Sequence, residues 1–384
     1  MNIRKWALRL WMLPLALSMV VANPALLYSA PSNFNSFGQT NLVSDLPGVA
    51  RFTDPDLVNP WGMAFSSGSP IWVSDNGMGL ATIYNGAGVK QGLIVSIPAP
   101  GGGTGAPTGQ VFNGGSGFNG DVFLFATEDG TIAGWRGALG TTAELGADRS
   151  GSGAVYKGLT LATSGSNTYL YATDFHNGTV DVFDSTFTKV TLGGSFTDPS
   201  LPADYAPFGI QTNPNGTLIY VTFALQDAAK HDDVACPGCG FVDVFNTDGT
   251  FVKRLVSMGS LNSPWGMALA PGSFGKFSGD LLVGNFGDGT INAFDPATGA
   301  MIGTLDGSNG TPLVNLGLWG LAFGNGAQGT SMNTLYFTAG IPGQDQIEDH
   351  GLFGAIATPE PGTLVMLGTG VLGLAGTLRR KPML

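Results

Sequence analysis

Residues 169–184 read YLYATDFHNGTVDVFD. An alternating run, YLYATDF, meets a polar turn, HNG, and a second alternating run, TVDVFD, follows. Period-two alternation broken by Asn-Gly predicts a β-hairpin. The same phrase recurs along the chain. LIYVTFA (218–224) precedes FVDVFN (241–246), DLLVGNF (280–286) precedes TINAFD (290–295), and DVFLFAT (121–127) precedes TIAGWR (131–136). PIWVSD (70–75) with LATIYN (80–85), and TLYFTAG (334–340) with LFGAIA (352–357), complete six such pairs.

Ahead of each pair stands one more candidate strand: NPWGMAF, PTGQVF, YKGLTLA, PFGIQTN, PWGMALA and LWGLAFG. Each carries a glycine near its start, at 62, 109, 158, 209, 266 and 320, so the repeat is about fifty residues long. A blade of four strands needs some forty to fifty residues, so six repeats predict an all-β, six-bladed β-propeller over 37–357. The fourth strand of a repeat is the weakest signal, as in TFVKRLV (250–256) and AMIGTLD (300–306). The sixth repeat lacks one, whereas FGQTNLVSD (37–45) belongs to no repeat. That stretch is expected to close the ring as the outer strand of the last blade, which removes an open seam.

The composition agrees. The 384 residues include 61 Gly and 23 Pro, only 11% are charged, and the net charge is −11. Such an acidic chain lacks the basic face that nucleic acid requires. It suits cations or neutral glycans.

The two ends read differently from the centre. Arg4, Lys5 and Arg9 precede an apolar run over 10–22, the pattern of a secretory signal peptide within 1–30. At the other end, Pro359-Glu360-Pro361 precedes an apolar run over 363–378 and then Arg379, Arg380 and Lys381. The run is short for a bilayer but spans one if its flanks snorkel, which predicts a short transmembrane helix. In that order, these features resemble the PEP-CTERM sorting signal, over 358–384. The resemblance implies export, transient anchoring in the inner membrane, processing by an exosortase, and release to the surface of a bacterium that makes exopolysaccharide.

The centre also resembles an uncharacterised family of secreted bacterial proteins. The stretches FGQTNLVSDLPG, NPWGMAF, FATEDGTIAGW, YATDFHNGTVDVF, HDDV, LVGNFGDGTINAFDPATG and HGLFG carry this likeness. It implies no activity. More loosely, the repeats look like NHL or gluconolactonase-type propellers.

In a propeller, the turns between the second and third strands lie on one face. All three histidines, His176, His231 and His350, fall in such turns, with Asp232 and Asp233 beside His231. Imidazole and carboxylates on one face are candidate ligands for a divalent cation, Ca²⁺ or Zn²⁺. The same residues serve equally as solvated turn residues. The turn at 226–240, QDAAKHDDVACPGCG, is long for a connection within a blade. Its Cys236 and Cys239 are expected to form a local disulfide in an oxidising compartment.

Four of the six residues before the strand glycines are aromatic: Trp61, Phe208, Trp265 and Trp319, against Thr108 and Lys157. A ring of aromatics at the channel mouth is a candidate sugar platform, and inter-blade packing explains it as well. No Walker lysine and no G-x-S-x-G elbow are present. Three functions follow: a non-enzymatic module binding a glycan or another extracellular partner, a metal-dependent hydrolase of lactonase type, and a structural component of the extracellular matrix.

Overall fold

The computed structural model describes residues 36–344 and 346–358. The expected leader, the tail helix and the Pro359-Glu360-Pro361 motif lie outside these residues. Among the described residues, no helix is long and apolar enough to cross a membrane.

Among the described residues there are six sheets, five of four antiparallel strands each and a sixth in which Phe52–Thr53 and Asp306–Gly307 add in parallel to Ser36–Ser44. Blade 3 is built on the hairpin quoted above. Asn167–Asp174 pairs with Thr179–Phe183, Leu170 facing Phe183 and Asp174 facing Thr179. The turn is one residue longer than the sequence suggests, because Phe175 leaves the strand and is fully buried. Gly178 takes φ +67°, and the Asp174 carboxylate accepts from the Asn177 backbone N–H and side-chain amide. An Asp reaching forward onto its own turn is a common closure of such loops.

The innermost strands are Pro60–Ala64, Pro107–Phe112, Tyr156–Ser164, Tyr205–Thr212, Pro264–Leu269 and Leu318–Phe323. All six are irregular at the recurring glycine. The register slips between Tyr156 and Leu159, between Pro264 and Met267, and at the matching place in the other four. These are β-bulges, which bend a strand and re-aim the side chain beside them. The glycine is demanded by close approach. A Cβ on Gly209 would lie 2.0 Å from the Trp265 carbonyl oxygen, and one on Gly320 would lie 2.6 Å from that of Trp61. The second contact joins blade 6 to blade 1, so the ring is closed.

Closure on the outside follows the expected route. Ser36–Ser44 lies antiparallel to Leu352–Ala357, Gly38 facing Ala357 and Ser44 facing Leu352. Phe37 reaches past the seam to Phe274 and Phe277, with ring centroids at 4.9 and 5.7 Å. At the other end of this strand, Ser44 donates to the Gly351 carbonyl at 2.7 Å, and Asp45 accepts from the Gly351 N–H at 2.8 Å.

The hydrophobic core is divided among the interfaces between blades. Trp72 of blade 1, for instance, stacks on Phe123 of blade 2 at 4.1 Å and meets Trp135 at 4.9 Å. In two blades the outer strand is very short, Val95–Ser96 in blade 1 and Lys189–Val190 in blade 3. In those two blades this explains the faint sequence signal and leaves little exposed edge for pairing with other chains.

Candidate functional site at the channel mouth

Each bulge sends the residue before its glycine to one end of the central channel. There Trp61, Phe208, Trp265 and Trp319 join Phe175 and Phe286 in a buried cluster. Trp61 stacks on Trp319 at 3.4 Å, and Trp265 meets Trp319 edge-on at 5.6 Å. The ring faces thus cover one another, and Trp61 and Trp319 are only 2% and 1% exposed. The aromatic ring closes the channel rather than standing open as a platform. The Trp319 N–H donates to Asn59 Oδ1 at 3.1 Å. The N–H groups of Trp61 and Trp265 are buried with no acceptor among the described residues.

Lys157 occupies the blade 3 place in this ring. Its ammonium lies over the Trp61 ring, 5.1 Å from the centroid. It donates to Glu128 Oε1 and, at 3.0 Å, to Asp232 Oδ1. Glu128 also accepts from the Asn76 side chain at 2.8 Å. Asn59 donates to Asn76 at 3.3 Å and to Glu348 at 3.0 Å. Asp232 contacts His231 Nδ1 at 3.0 Å. Residues of all six blades therefore meet at one end of the channel. Asn59 and Glu348 hold φ of +46° and +78°. Such backbone strain in non-glycine residues persists only where surrounding structure enforces it.

Charges here shift one another. The bond to His231, then the nearby Lys157, holds the Asp232 carboxyl well below its usual range, and the same bond raises the His231 imidazole. Burial lowers the Lys157 ammonium's proton affinity, but Glu128 and Asp232 outweigh it and the group stays charged. Burial pushes Glu348 up to about 7 and Asp233 up to about 6. In the blade 4 sheet, burial lifts Asp243 to about 7, with Asp198 adding to the effect and Arg254 opposing it.

These raised acids bind protons more tightly folded than unfolded. Their stabilising contribution is complete below their ordinary values of 3.8 to 4.5 and is lost as pH rises through 6 to 7. Asp232, shifted down, contributes in the opposite sense at pH below 4. Thermal unfolding should therefore show its highest Tm at about pH 4, falling by roughly 5 °C or more by pH 8. An Asp243→Asn variant should flatten that slope. A Tm that rises from pH 5 to pH 8 would contradict the assignment.

The structure brings together two of the five residues suggested as metal ligands. Among the described residues, donor atoms of Glu128, His231 and Asp232 lie within 4.8 Å of one another. Asp233 is half-buried and outside that group, and His176 lies against Gly153. His350 pairs with Asp45 at 2.6 Å, at the seam made by the N-terminal strand. The three donors fit an ammonium better than a dication, because Lys157 already lies against both carboxylates. Cys236 and Cys239 are joined as a disulfide in the same loop as His231. Sequence reading did not single out Asn59, Asn76 or Lys157. The usable signal was Lys157 itself, a cation at a repeat position that is aromatic in four blades.

Residues 357–381 match the PEP-CTERM protein-sorting motif. The motif marks an exported chain destined for exosortase. Uncharacterized protein L690 of Acanthamoeba polyphaga mimivirus is 35% identical over 331 residues, covering 82% of this chain and 84% of the viral protein. This chain belongs to the L690 family. Uncharacterized protein R648 of the same virus is 33% identical over 316 residues, 78% of this chain and 76% of its own length. A structural-genomics protein of unknown function from Bacteroides thetaiotaomicron superposes with a TM-score of 0.51 at 12% identity, covering 84% of this chain and 76% of that one. At that identity the likeness shows the propeller fold alone. The L690 family is thus carried here on a chain with the PEP-CTERM sorting motif.

Proposed function

We propose that this exported propeller is a non-enzymatic binding module of the cell surface or biofilm matrix, whose channel mouth takes a saccharide. The observation that carries the reading is the polar network at the channel mouth, where Asn59, Asn76, Glu128 and Lys157 from three blades hold fixed hydrogen-bonding groups beside the exposed Asp232. The open edge of that network is Asp232, 63% exposed. Fixed donors and a carboxylate around an apolar floor are the chemistry that recognises hydroxyl groups on a ring. The acidic surface favours a neutral or amino sugar over an anionic one. The 363–378 tail would hold the chain in the inner membrane until exosortase acts, and an extracellular polysaccharide is the partner such a destination supplies.

The test is saturation-transfer NMR of the protein with a panel of neutral and amino monosaccharides and disaccharides. Asp232→Asn, which removes a charged acceptor, should weaken binding about 10- to 100-fold. Absence of transfer from every sugar would end this reading.

The proximity of Glu128, His231 and Asp232 favours a second reading, a metal-dependent hydrolase of lactonase type. A stoichiometric divalent ion that survives dialysis, with chelator-sensitive turnover of a lactone, would establish it. In that case Lys157 would have to leave its present position.

A further inference from the structure

A large concavity lies away from the channel mouth. It is a groove of about 1180 Å³ on the opposite face, between blades 2 and 3 and reaching the Asn215-Gly216 turn of blade 4. Its walls come from the far ends of the strands: the loop at 113–120, the turn at 164–167, and the turn that begins at Asp184. None of its lining residues belongs to the Lys157 network.

The chemistry of the groove differs from the rest of the surface. On a chain of net charge −11, its lining holds no lysine or arginine and one carboxylate, Asp184. Asp184 Oδ1 is already engaged by the Thr186 N–H and hydroxyl, at 2.8 and 2.7 Å, and by the Thr188 N–H at 3.1 Å. The remaining polar groups are neutral. The hydroxyls of Ser116, Thr163, Ser166 and Thr168 line the groove, and none of the four is used in the internal hydrogen bonds that hold the neighbouring turns. Two half-buried aromatics, Phe112 and Tyr169, lie among them, and the Tyr169 hydroxyl accepts from Asn167 at 3.3 Å.

The wall formed by the 113–120 loop is built rigid. The Asn113 amide donates to the carbonyls of Gly117 and Asp121 at 3.1 and 2.8 Å, and its oxygen accepts from the Gly115 N–H at 3.0 Å. The Phe118 N–H donates to the Ser185 carbonyl at 2.6 Å, and the buried Phe118 ring meets Phe187 at 5.2 Å. Phe118 and Asn119 both hold φ +56°. Two successive non-glycine residues in the left-handed region are strained, so the surrounding contacts impose this shape. A wall fixed in advance lowers the ordering cost of binding.

We propose that this groove is a binding site for a neutral, polyhydroxylated chain, that is, a segment of an uncharged polysaccharide several sugar units long. Its volume exceeds the roughly 300–1,000 Å³ of an ordinary small-molecule pocket, which suits a chain rather than a single ring. Hydroxyl donors and acceptors satisfy sugar hydroxyls, Tyr169 and Phe112 offer faces to ring C–H groups, and the absence of cations in the lining disfavours anionic polymers. The assignment does not rest on the channel-mouth reading.

Affinity electrophoresis of the purified protein through gels containing dextran, mixed-linkage β-glucan or galactomannan, with alginate as the anionic comparison, tests it. At least one neutral polymer should retard the protein. Tyr169→Ala and Ser166→Arg should each weaken that retardation at least tenfold, whereas Met332→Ser, at an exposed position outside the groove and the channel mouth, should leave it unchanged. Ser166 lies in an exposed turn, so its variant reports on the groove even if Tyr169→Ala disturbs folding. Retardation by no neutral polymer, by alginate alone, or undiminished from the parent in both groove variants would overturn the proposal. So would loss of retardation in Asp232→Asn alone, which would assign the polymer to the channel mouth.

Discussion

A chain lacking Ser36–Ser44 should show no cooperative thermal transition and should aggregate. This strand supplies the outer pairing of blade 6 over six residue pairs, from Gly38–Ala357 to Ser44–Leu352. It also buries Phe37, Leu42 and Val43, each 4% exposed or less. Removing large buried side chains costs about 2–5 kcal/mol apiece. Three such losses together rival the whole stability of an ordinary domain, about 5–15 kcal/mol. The deletion would also uncover Leu352–Ala357 as a free, largely buried strand edge, a template for association between copies. Phe37→Ala is the milder control, since it keeps the ladder and loses only the contacts with Phe274 and Phe277. Scanning calorimetry of the deletion decides the matter. A cooperative transition within a few degrees of the parent would mean that the ring closes without its outer strand.

Lys157→Met should lower stability by about 3–5 kcal/mol, the usual cost of removing one member of a buried ion pair. The ammonium is 1% exposed and neutralises Glu128, itself 15% exposed, so the loss leaves a carboxylate without its cation. Contact with the Trp61 face disappears as well. Pairing the change with Glu128→Gln should restore much of the stability, because the orphaned charge is then gone. The single variant should also bind Zn²⁺ more tightly than the parent, since Glu128, His231 and Asp232 would no longer compete with an ammonium. Chemical denaturation and a zinc titration read these effects. A variant whose unfolding midpoint and zinc affinity match the parent would show that Lys157 does not hold the channel mouth together.

The acidic residues divide by the same physics. Asp232 faces solvent, His231 and a cation, and stays ionised. Asp243 is sealed within its sheet near Asp198 and holds its proton to about pH 7. Local sequence sets Asp232 in the polar turn HDD and Asp243 in the alternating strand FVDVFN, but it does not show which charges meet Asp243 across the sheet. Burial and the neighbour across the sheet decide the difference.

The architecture was written in local pattern. Alternation with period two, a turn after each alternating run, and a glycine every fifty residues identify the strands and their number, because a pleated strand shows its two faces in sequence order. The unclaimed stretch at 37–45 announced the closure, because an odd strand among complete repeats has one place to go. The tail was equally plain as a sorting motif. What the repeated glycine was for became visible only in three dimensions. It stands where the backbone of the next blade approaches within contact distance, and the bulge it permits turns the preceding side chain into the channel. The site is likewise a tertiary fact. Asn59, Asn76, Glu128, Lys157, Asp232 and Glu348 are separated by up to 289 residues and come from five blades. A sequence lists turn residues one at a time, whereas only ring closure decides which turns share a face and which side chains reach its centre. For that reason His231 joined the cluster, while His176 and His350, alike in sequence position, stayed at the rim.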